Sequence, residues 1–398
     1  MAKKSGFRTL VLLLFSLSIV YVNCALPPRT FDVRMYGAVA DGKTDNTKAF
    51  LRTWEDACEY GGRSRFWIPR GTFLLGSISF EGSCKGSMAF LIKGTLKATT
   101  DPQQFFTDTW IGFRYLDKLT VKGGGYLDGQ GAAAWPYNDC SRNSNCRTLP
   151  TTLRFDFVTN SAVNNIKSVN SKNSHINIFA CHNMNISNIR LTAPANSPNT
   201  DGIHIGTSNK MKISRAVIGT GDDCIAMVSG SRDIDIDNVA CGPGHGISIG
   251  SLGRSHASEF VSGISVTNSI FIGSDNGVRI KTMAPSLHSK ASGLTFQNLF
   301  MRNVSNPIVI DQQYCPYQGC RIQSSSAVQI QDVTFRNIMG ISRTQIAVNL
   351  QCSGALPCKN VKLINIDLGY HGRGGKAKSL CSNVIGYSYG KQIPGGCI

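Results

Sequence analysis

The residues best suited to chemistry lie in four short polar segments, residues 197–202, 221–224, 241–246 and 279–281. Together they contain three carboxylates, an imidazole and two cations: Asp201, Asp222, Asp223, His245, Arg279 and Lys281. Carboxylates held close together cannot all ionise at their usual pKa, so we expect at least one to carry a proton at mildly acid pH. A cluster that holds one protonated and one ionised carboxyl supplies both a general acid and a general base, and cleavage of a glycosidic bond requires both.

The spacing of these segments predicts that they come together. Asp201 and Asp222 are 21 residues apart, and Asp223 and His245 are 22 apart. If the chain forms stacked coils of this period, residues one period apart lie on adjacent strands, about 4.8 Å from each other. Asp201 is then expected beside Asp222, with His245 on the next coil.

Arg279 and Lys281 are alternate residues of one predicted strand, so their side chains should point the same way and offer two cations to an anionic sugar. Each segment also has a purely structural interpretation. Residues 199–202 could be a turn, Asp222 and Asp223 a solvated corner, and His245 an incidental part of a tight bend. All four segments in order at the repeat spacing favour a functional site.

The elements that must position these residues are short strands. Sixteen runs of three to five residues alternate in polarity and are separated by turns rich in Gly, Asn and Ser, which predicts strands and not helices from about residue 66 onward. A 22-residue period without hairpin turn signals predicts an all-β fold, a right-handed parallel β-helix. The main alternative is a propeller or an up-and-down barrel, but neither explains a 22-residue period without hairpin turn signals.

A recurring Asn before an aliphatic residue supports the repeat. Asn tolerates the left-handed conformation, and stacked amides can bond between coils. The positions are Asn165, Asn185, Asn188, Asn238, Asn298, Asn337, Asn360 and Asn365.

One helix is predicted, over residues 46–60, where Phe50, Leu51, Trp54, Ala57 and Cys58 recur at helical spacing after an Asp or Asn cap. Its expected role is to cover the open N-terminal end of the stack, which would otherwise expose apolar core and unpaired strand edges.

Residues 1–24 place basic residues before an apolar run and a small residue, the order of a secretory signal peptide. The apolar run of about 13 residues is short for a membrane anchor, which needs about 20. We therefore expect a signal peptide over 1–24 and one β-helix domain over 25–398. The net charge of +17 favours an acidic partner, and charge alone does not choose among polysaccharide, nucleic acid and membrane surface.

Fourteen cysteines in an exported chain predict disulfides. Proximity suggests the pairs Cys58–Cys84, Cys140–Cys146, Cys224–Cys241, Cys315–Cys320, Cys352–Cys358 and Cys381–Cys397, with Cys181 as a buried free thiol. The cysteine and histidine spacings do not fit zinc, so no metal is predicted. Asn185 and Asn303 lie in sequons that permit N-glycosylation.

The set Asn199-Thr200-Asp201, Gly221-Asp222-Asp223, Gly244-His245-Gly246 and Arg279-Ile280-Lys281 resembles the signature of the polygalacturonases, glycoside hydrolase family 28. Residues 36–45 and 306–315 are similar to further stretches of plant members. The resemblance implies hydrolysis of α-1,4 bonds between galacturonic acids of de-esterified pectin, with inversion. Asp222 would then be the general acid, and Asp201 and Asp223 would activate the water. His245 would tune the acid, and Asn199, Arg279, Lys281 and Tyr314 would bind the sugar.

The resemblance also implies no cofactor and no metal. We expect a secreted, cell-wall monomer that binds pectin, and neither nucleic acid nor, after signal cleavage, a membrane. Neighbouring strands allow a short carboxyl separation, which by the general rule could indicate retention, so inversion rests on the resemblance. A calcium-assisted pectate lyase and a non-catalytic pectin-binding protein are the alternatives. Residues 314–320 are similar to pollen-type exo-enzymes and favour exo over endo action slightly.

Overall fold

The computed structural model describes residues 26–140, 143, 146–254, 257–316 and 325–398. The signal peptide predicted for residues 1–24 lies outside them. The α-helix α1 covers Thr47–Glu59, and short 3-10 helices cover Val33–Tyr36, Pro102–Gln104, Gly131–Ala133 and Trp135–Tyr137.

Thirty strands make up most of the described residues. They are β1 Arg29–Asp32, β2 Asp41–Asp45, β3 Ser64–Ile68, β4 Thr72–Leu75, β5 Ile78–Glu81, β6 Met88–Ile92, β7 Thr95–Ala98, β8 Thr109–Arg114, β9 Leu119–Lys122, β10 Tyr126–Asp128, β11 Thr151–Asp156, β12 Thr159–Asn164, β13 Lys167–Val169, β14 Ile176–Phe179, β15 His182–Ser187, β16 Arg190–Thr192, β17 Ile203–Gly206, β18 Asn209–Gly219, β19 Ile225–Met227, β20 Arg232–Cys241, β21 Ile247–Leu252, β22 Phe260–Ile272, β23 Asn276–Thr282, β24 Ser289–Val304, β25 Asn306–Asp311, β26 Val328–Ser342, β27 Ile346–Gln351, β28 Cys358–Tyr370, β29 Lys378–Ser382 and β30 Val384–Ile393.

The strands stack in parallel as a right-handed parallel β-helix, which confirms the predicted fold class. Sheet 1 contains nineteen strands, and sheet 2 contains eleven, from β5 to β29. In sheet 2, the buried aliphatic residues of successive coils lie in register: Ile176, Ile203, Ile225, Ile247 and Val278. The alternation of these residues with polar ones fixes the register, since a slip of one residue would turn every aliphatic side chain to solvent.

Many strands of sheet 1 are longer than the predicted three to five residues. β24, for example, has sixteen residues. These strands turn a corner without losing the ladder, because a residue within each adopts the left-handed conformation, as Asn298 does with a φ of 55°. The expectation of uniformly short strands was therefore wrong, because a corner need not end a strand.

The predicted asparagine column forms that corner. Six of the eight predicted positions lie there with φ between 49° and 55°: Asn165, Asn188, Asn238, Asn298, Asn337 and Asn365. Asn360, with a φ of 51°, lies at another corner, level with Asp332, and Asn185 lies inside β15. Some of the amides bond from coil to coil: Asn298 Nδ2 donates to Asn268 Oδ1 at 3.1 Å, and Asn337 Nδ2 donates to Asn298 Oδ1 at 3.0 Å.

Helix α1 covers the N-terminal coils, as predicted. Trp54 packs against Phe80 with ring centroids 4.9 Å apart, and its indole donates to the Glu81 carbonyl. The capping differs in detail. Asn46 occupies the N-cap position but its side chain makes no cap bond, and Asp45 Oδ1 accepts from the Thr47 amide instead.

Five predicted disulfides are confirmed: Cys58–Cys84, Cys140–Cys146, Cys224–Cys241, Cys352–Cys358 and Cys381–Cys397. Cys181 is a free, buried thiol, as predicted. The predicted partner of Cys315, Cys320, lies outside the described residues. Among the described helices, none is long and apolar enough to cross a membrane.

Candidate active site

The three carboxylates and the imidazole lie just before successive strands of sheet 2. The ladder pairs Ile203 with Ile225 and Ile225 with Ile247, and the Gly202 amide donates to the Asp223 carbonyl at 2.9 Å. Asp201 is therefore level with Asp223, one residue away from the predicted register with Asp222. The 22-residue coil, and not the 21-residue interval, sets the backbone alignment.

Asp222 and His245 form a hydrogen-bonded pair across two coils. The His245 Nδ1 donates to Asp222 Oδ1 at 3.0 Å, and the His245 Nε2 lies 3.7 Å from Asp275 Oδ2. The hydrogen bond to Asp222 raises the pKa of His245. Burial would raise the pKa of Asp222, but the hydrogen bond and charge of His245 outweigh burial, and the pKa of Asp222 is lowered.

Asp201 has the opposite shift. Burial, followed by repulsion from Asp222 and Asp223, holds its pKa well above the usual value, and the nearby Lys281 opposes this only in part. The prediction that one carboxyl is pushed up is thus confirmed for Asp201. Since Asp201 and Asp222 repel each other, the two carboxyls titrate as a pair, and burial with repulsion favours the protonated form of Asp201.

Asp223 is enclosed by donors. Its Oδ1 accepts from Ser248 Oγ at 2.7 Å and from Arg279 at 2.9 Å, and its Oδ2 accepts from Lys281 Nζ at 2.8 Å. The side chains are 4%, 13% and 9% exposed for Asp223, Arg279 and Lys281. The two cations therefore compensate a buried carboxylate in the free protein, which the sequence did not reveal.

Tyr314 and Asn199 border this cluster. The Tyr314 ring lies 5.6 Å from the Arg279 guanidinium and 5.2 Å from Lys281 Nζ, within range of cation–π attraction. Asn199 Nδ2 lies 3.4 Å from Asp222 Oδ2, and Asn138 Nδ2 donates to Asn199 Oδ1 at 2.9 Å. The structure thus brings all eight predicted site residues together.

Sequence reasoning missed Ser248, Asn138 and Asp275. Ser248 follows Ile247 in an alternating strand and lies opposite Arg279 in the ladder, so the strand period could have identified it. Asn138 and Asp275 had no such signal, because each reaches the site from a loop.

Three residues of the cluster have side chains of the kind that ligate metal ions. Ligand atoms of Asp222, Asp223 and His245 lie within 4.8 Å of one another. Both oxygens of Asp223, however, already accept from cations, and His245 Nδ1 bonds Asp222. This donor set fits proton transfer better than metal binding, and the absence of a metal stays a prediction.

The fold is a parallel β-helix, and one sheet face carries a cluster of carboxyls beside two cations and an aromatic ring. This combination is the one expected of a β-helix enzyme that acts on a polysaccharide. Residues 58–390 match the sequence model of the family described as "Glycosyl hydrolases family 28". The chain belongs to this family and is a glycoside hydrolase.

Relatives and solved structures agree. The chain is 46% identical to "Exopolygalacturonase" of Platanus acerifolia, covering 92% of this chain and 96% of the relative. It is 46% identical to "Exopolygalacturonase" of Oenothera organensis, covering 89% and 98%. The fold is similar to that of an endo-xylogalacturonan hydrolase from Aspergillus tubingensis, with a TM-score of 0.78 at 24% identity over 89% of this chain and 96% of that one. A hyperthermoactive exopolygalacturonase from Thermotoga maritima gives 0.72 at 20% over 88% and 93%.

Proposed function

We propose that the protein is a polygalacturonase that hydrolyses α-1,4 bonds between galacturonic acids of de-esterified pectin, with inversion, from a chain end. The observation that carries this proposal is the opposed shift of two neighbouring carboxyls, Asp201 upward and Asp222 downward, beside two cations suited to an anionic sugar. The names of the relatives support both the substrate and the exo action.

Turnover requires one proton on the Asp201–Asp222 pair, and its position decides activity. In the productive state the proton resides on Asp222, which protonates the leaving glycosidic oxygen, and Asp201 is then ionised and able to accept a proton from the attacking water. His245 acts on this exchange, because its hydrogen bond stabilises the charge that Asp222 carries before it takes up the proton and again after it has protonated the leaving oxygen.

Asp223 contributes a second acceptor for the water, with its charge held by Ser248, Arg279 and Lys281. A substrate carboxylate that approaches Arg279 and Lys281 would share these cations with Asp223. This sharing weakens the hydrogen bonds that Arg279 and Lys281 donate to Asp223, so the Asp223 oxygens become available to the water. Tyr314 would pack beside the same sugar, over the two cations.

The segment that carries Asn138 follows β10 and contacts the site, because Asn138 Nδ2 donates to Asn199 Oδ1. The chain is further proposed to be a single domain over 25–398, secreted after loss of residues 1–24, monomeric, free of cofactor and metal, and located in the plant cell wall.

The test is chromatography of the early products from polygalacturonate, with a chelator present and ultraviolet absorbance recorded. Saturated monomer alone would support exo-hydrolysis. A spread of saturated oligomers would contradict the exo part and keep hydrolysis. Unsaturated products would replace the proposal with a lyase, and binding without products would replace it with a wall-binding role.

A further inference from the structure

A second groove lies on a different face of the β-helix from the site. It has a volume of about 830 Å³ and follows sheet 1 across the coils of β9, β12, β15, β18 and β20. Four cations line it: Arg63, Lys118, Lys210 and Lys212. Because sheet 2 carries the catalytic cluster, this basic groove is not an extension of the active site.

Two of the lysines occupy backbone positions that do not favour lysine. Lys118 and Lys210 have φ values of 58° and 55°, in the left-handed region. Other coils place Asn, Asp or Gly at this corner, as Asn160, Asp233 and Gly263 show. A long side chain is less common in this conformation than Asn or Gly, and Lys118 and Lys210 both line the groove. Here the corner directs two cations over the groove.

The cations that line the groove outnumber its carboxylates, four against Asp233 and Asp235. Lys118 pairs with Asp117 at 3.5 Å, and Asp117 also accepts from Thr159 and Asn160. No ion pair within 4.0 Å involves Lys210 or Lys212 in the part of the chain that the structure describes. The groove thus keeps a positive charge that an anionic ligand could neutralise.

The floor between the cations is polar and ordered. Asn183 Nδ2 donates to Asn160 Oδ1 at 2.7 Å, and Asn160 Nδ2 donates to Asp117 at 2.7 Å. Among the described residues no donor to the Asn183 oxygen is found, so this oxygen can accept from a hydroxyl group. Asp233 and Asp235 follow on the next coil, where Asp235 lies opposite Lys212 in the ladder.

We infer that the basic groove is a non-catalytic binding site for de-esterified galacturonan. The cations bind the carboxylates of the polymer, and the asparagine amides hydrogen-bond to its hydroxyl groups. These contacts extend over about four coils, a span of roughly 14 Å. The enzyme is thereby held on the acidic polymer while the site on sheet 2 works on a chain end. The inference needs no catalytic residue, so it can fail while the proposed hydrolysis stands.

Asn185 lies in the groove and in a sequon, so a glycan there would occupy the binding surface. The test therefore uses the full secreted protein with Ser187→Ala, which removes the sequon and keeps Asn185. In this background the groove variant is Lys210→Ala with Lys212→Ala. The matched control is Lys359→Ala with Lys362→Ala, an equal charge change on β28 of the same sheet, outside the groove.

Retention on immobilised polygalacturonate is measured against salt concentration, and turnover of soluble trigalacturonate is measured in parallel. We expect the groove variant to lose roughly tenfold in retention with a shallower salt dependence, while the control variant keeps both. Both variants should turn over the trimer at the parental rate. Equal loss in both variants, or no loss in either, would overturn the groove as a site. Equal retention by immobilised dextran sulfate and polygalacturonate would overturn the reading of hydroxyl groups.

Discussion

Two polar columns follow the axis of this β-helix, and they differ in how their charges and hydrogen bonds are met. The asparagine corner of sheet 1 carries one charge, on Arg215, and several of its amides bond to the coil above or below. The acidic column before sheet 2 contains carboxylates that repel each other and shift in opposite directions. Both columns repeat at the coil spacing, so periodicity alone does not distinguish structure from function. Carboxylates that are held close enough to repel each other distinguish the functional column from the structural one.

The largest effect is expected at the acidic column. Asp222→Asn removes the proton donor and should lower kcat by roughly 10²–10⁴-fold, while circular dichroism and retention on polygalacturonate stay close to the parent. Initial rates on polygalacturonate measure the loss. Activity within a fewfold of the parent would remove Asp222 from the acid role.

The enclosed carboxylate offers the second test. Lys281→Met leaves Asp223 buried with one cation fewer, and breaking a buried pair from one side destabilises by about 3 kcal/mol. The midpoint of urea unfolding should fall accordingly. As a control, Lys391→Met removes an exposed partner of Asp367 and should change the midpoint little. Equal midpoints for the two variants would show that the buried pair adds nothing.

The asparagine corner should respond in stability and not in rate. Asn298→Ala loses two amide bonds and places Ala in the left-handed region, at a cost of about 1–2 kcal/mol. Asn298→Gly loses the same bonds without the conformational strain and should cost about half as much. Urea unfolding compares the two, and kcat should match the parent in both. A fall in kcat would mean that the columns are not separate.

The smallest expected effect is a shift in the pH profile. The proposed mechanism requires one proton on the Asp201–Asp222 pair, so kcat should fall at high pH as the raised pKa is passed and at low pH as the lowered pKa is passed. His245→Gln removes the group that lowers the pKa of Asp222. The acid limb of kcat should therefore move to higher pH, whereas the alkaline limb, set by burial of Asp201, should move less. An unchanged acid limb would contradict the control of Asp222 by His245.

The fold could be predicted because its causes are local and repeated. Alternation of aliphatic and polar residues defined the strands, and Asn before an aliphatic residue marked the corners. Asn185 has the same dipeptide yet lies within β15, because the register of its neighbours on β12 and β18 decided its conformation. The length of β24 was likewise invisible, since a corner residue can bend a ladder without ending it.

The site was predictable in its membership and less so in its electrostatics. Spacing brought Asp201, Asp222 and His245 together, but it could not tell that the Asp223 charge already engages Arg279 and Lys281. Such pairing depends on side chains reaching across coils, which a sequence period does not encode. Loop residues such as Asn138 were beyond reach for the same reason.

The N-terminal and C-terminal ends of the stack differ in what covers them, so the two ends should differ in how easily they unfold. Helix α1 packs Trp54 and Phe50 over the first coils. At the other end β30 is the terminal strand of its ladder, and Tyr387 and Tyr389 remain exposed. Each coil is stabilised chiefly by its neighbours, so we expect local unfolding to start at β30 and progress toward the N-terminus. Strands β25 to β28 lie between this end and the coils of the candidate site, which should therefore unfold later.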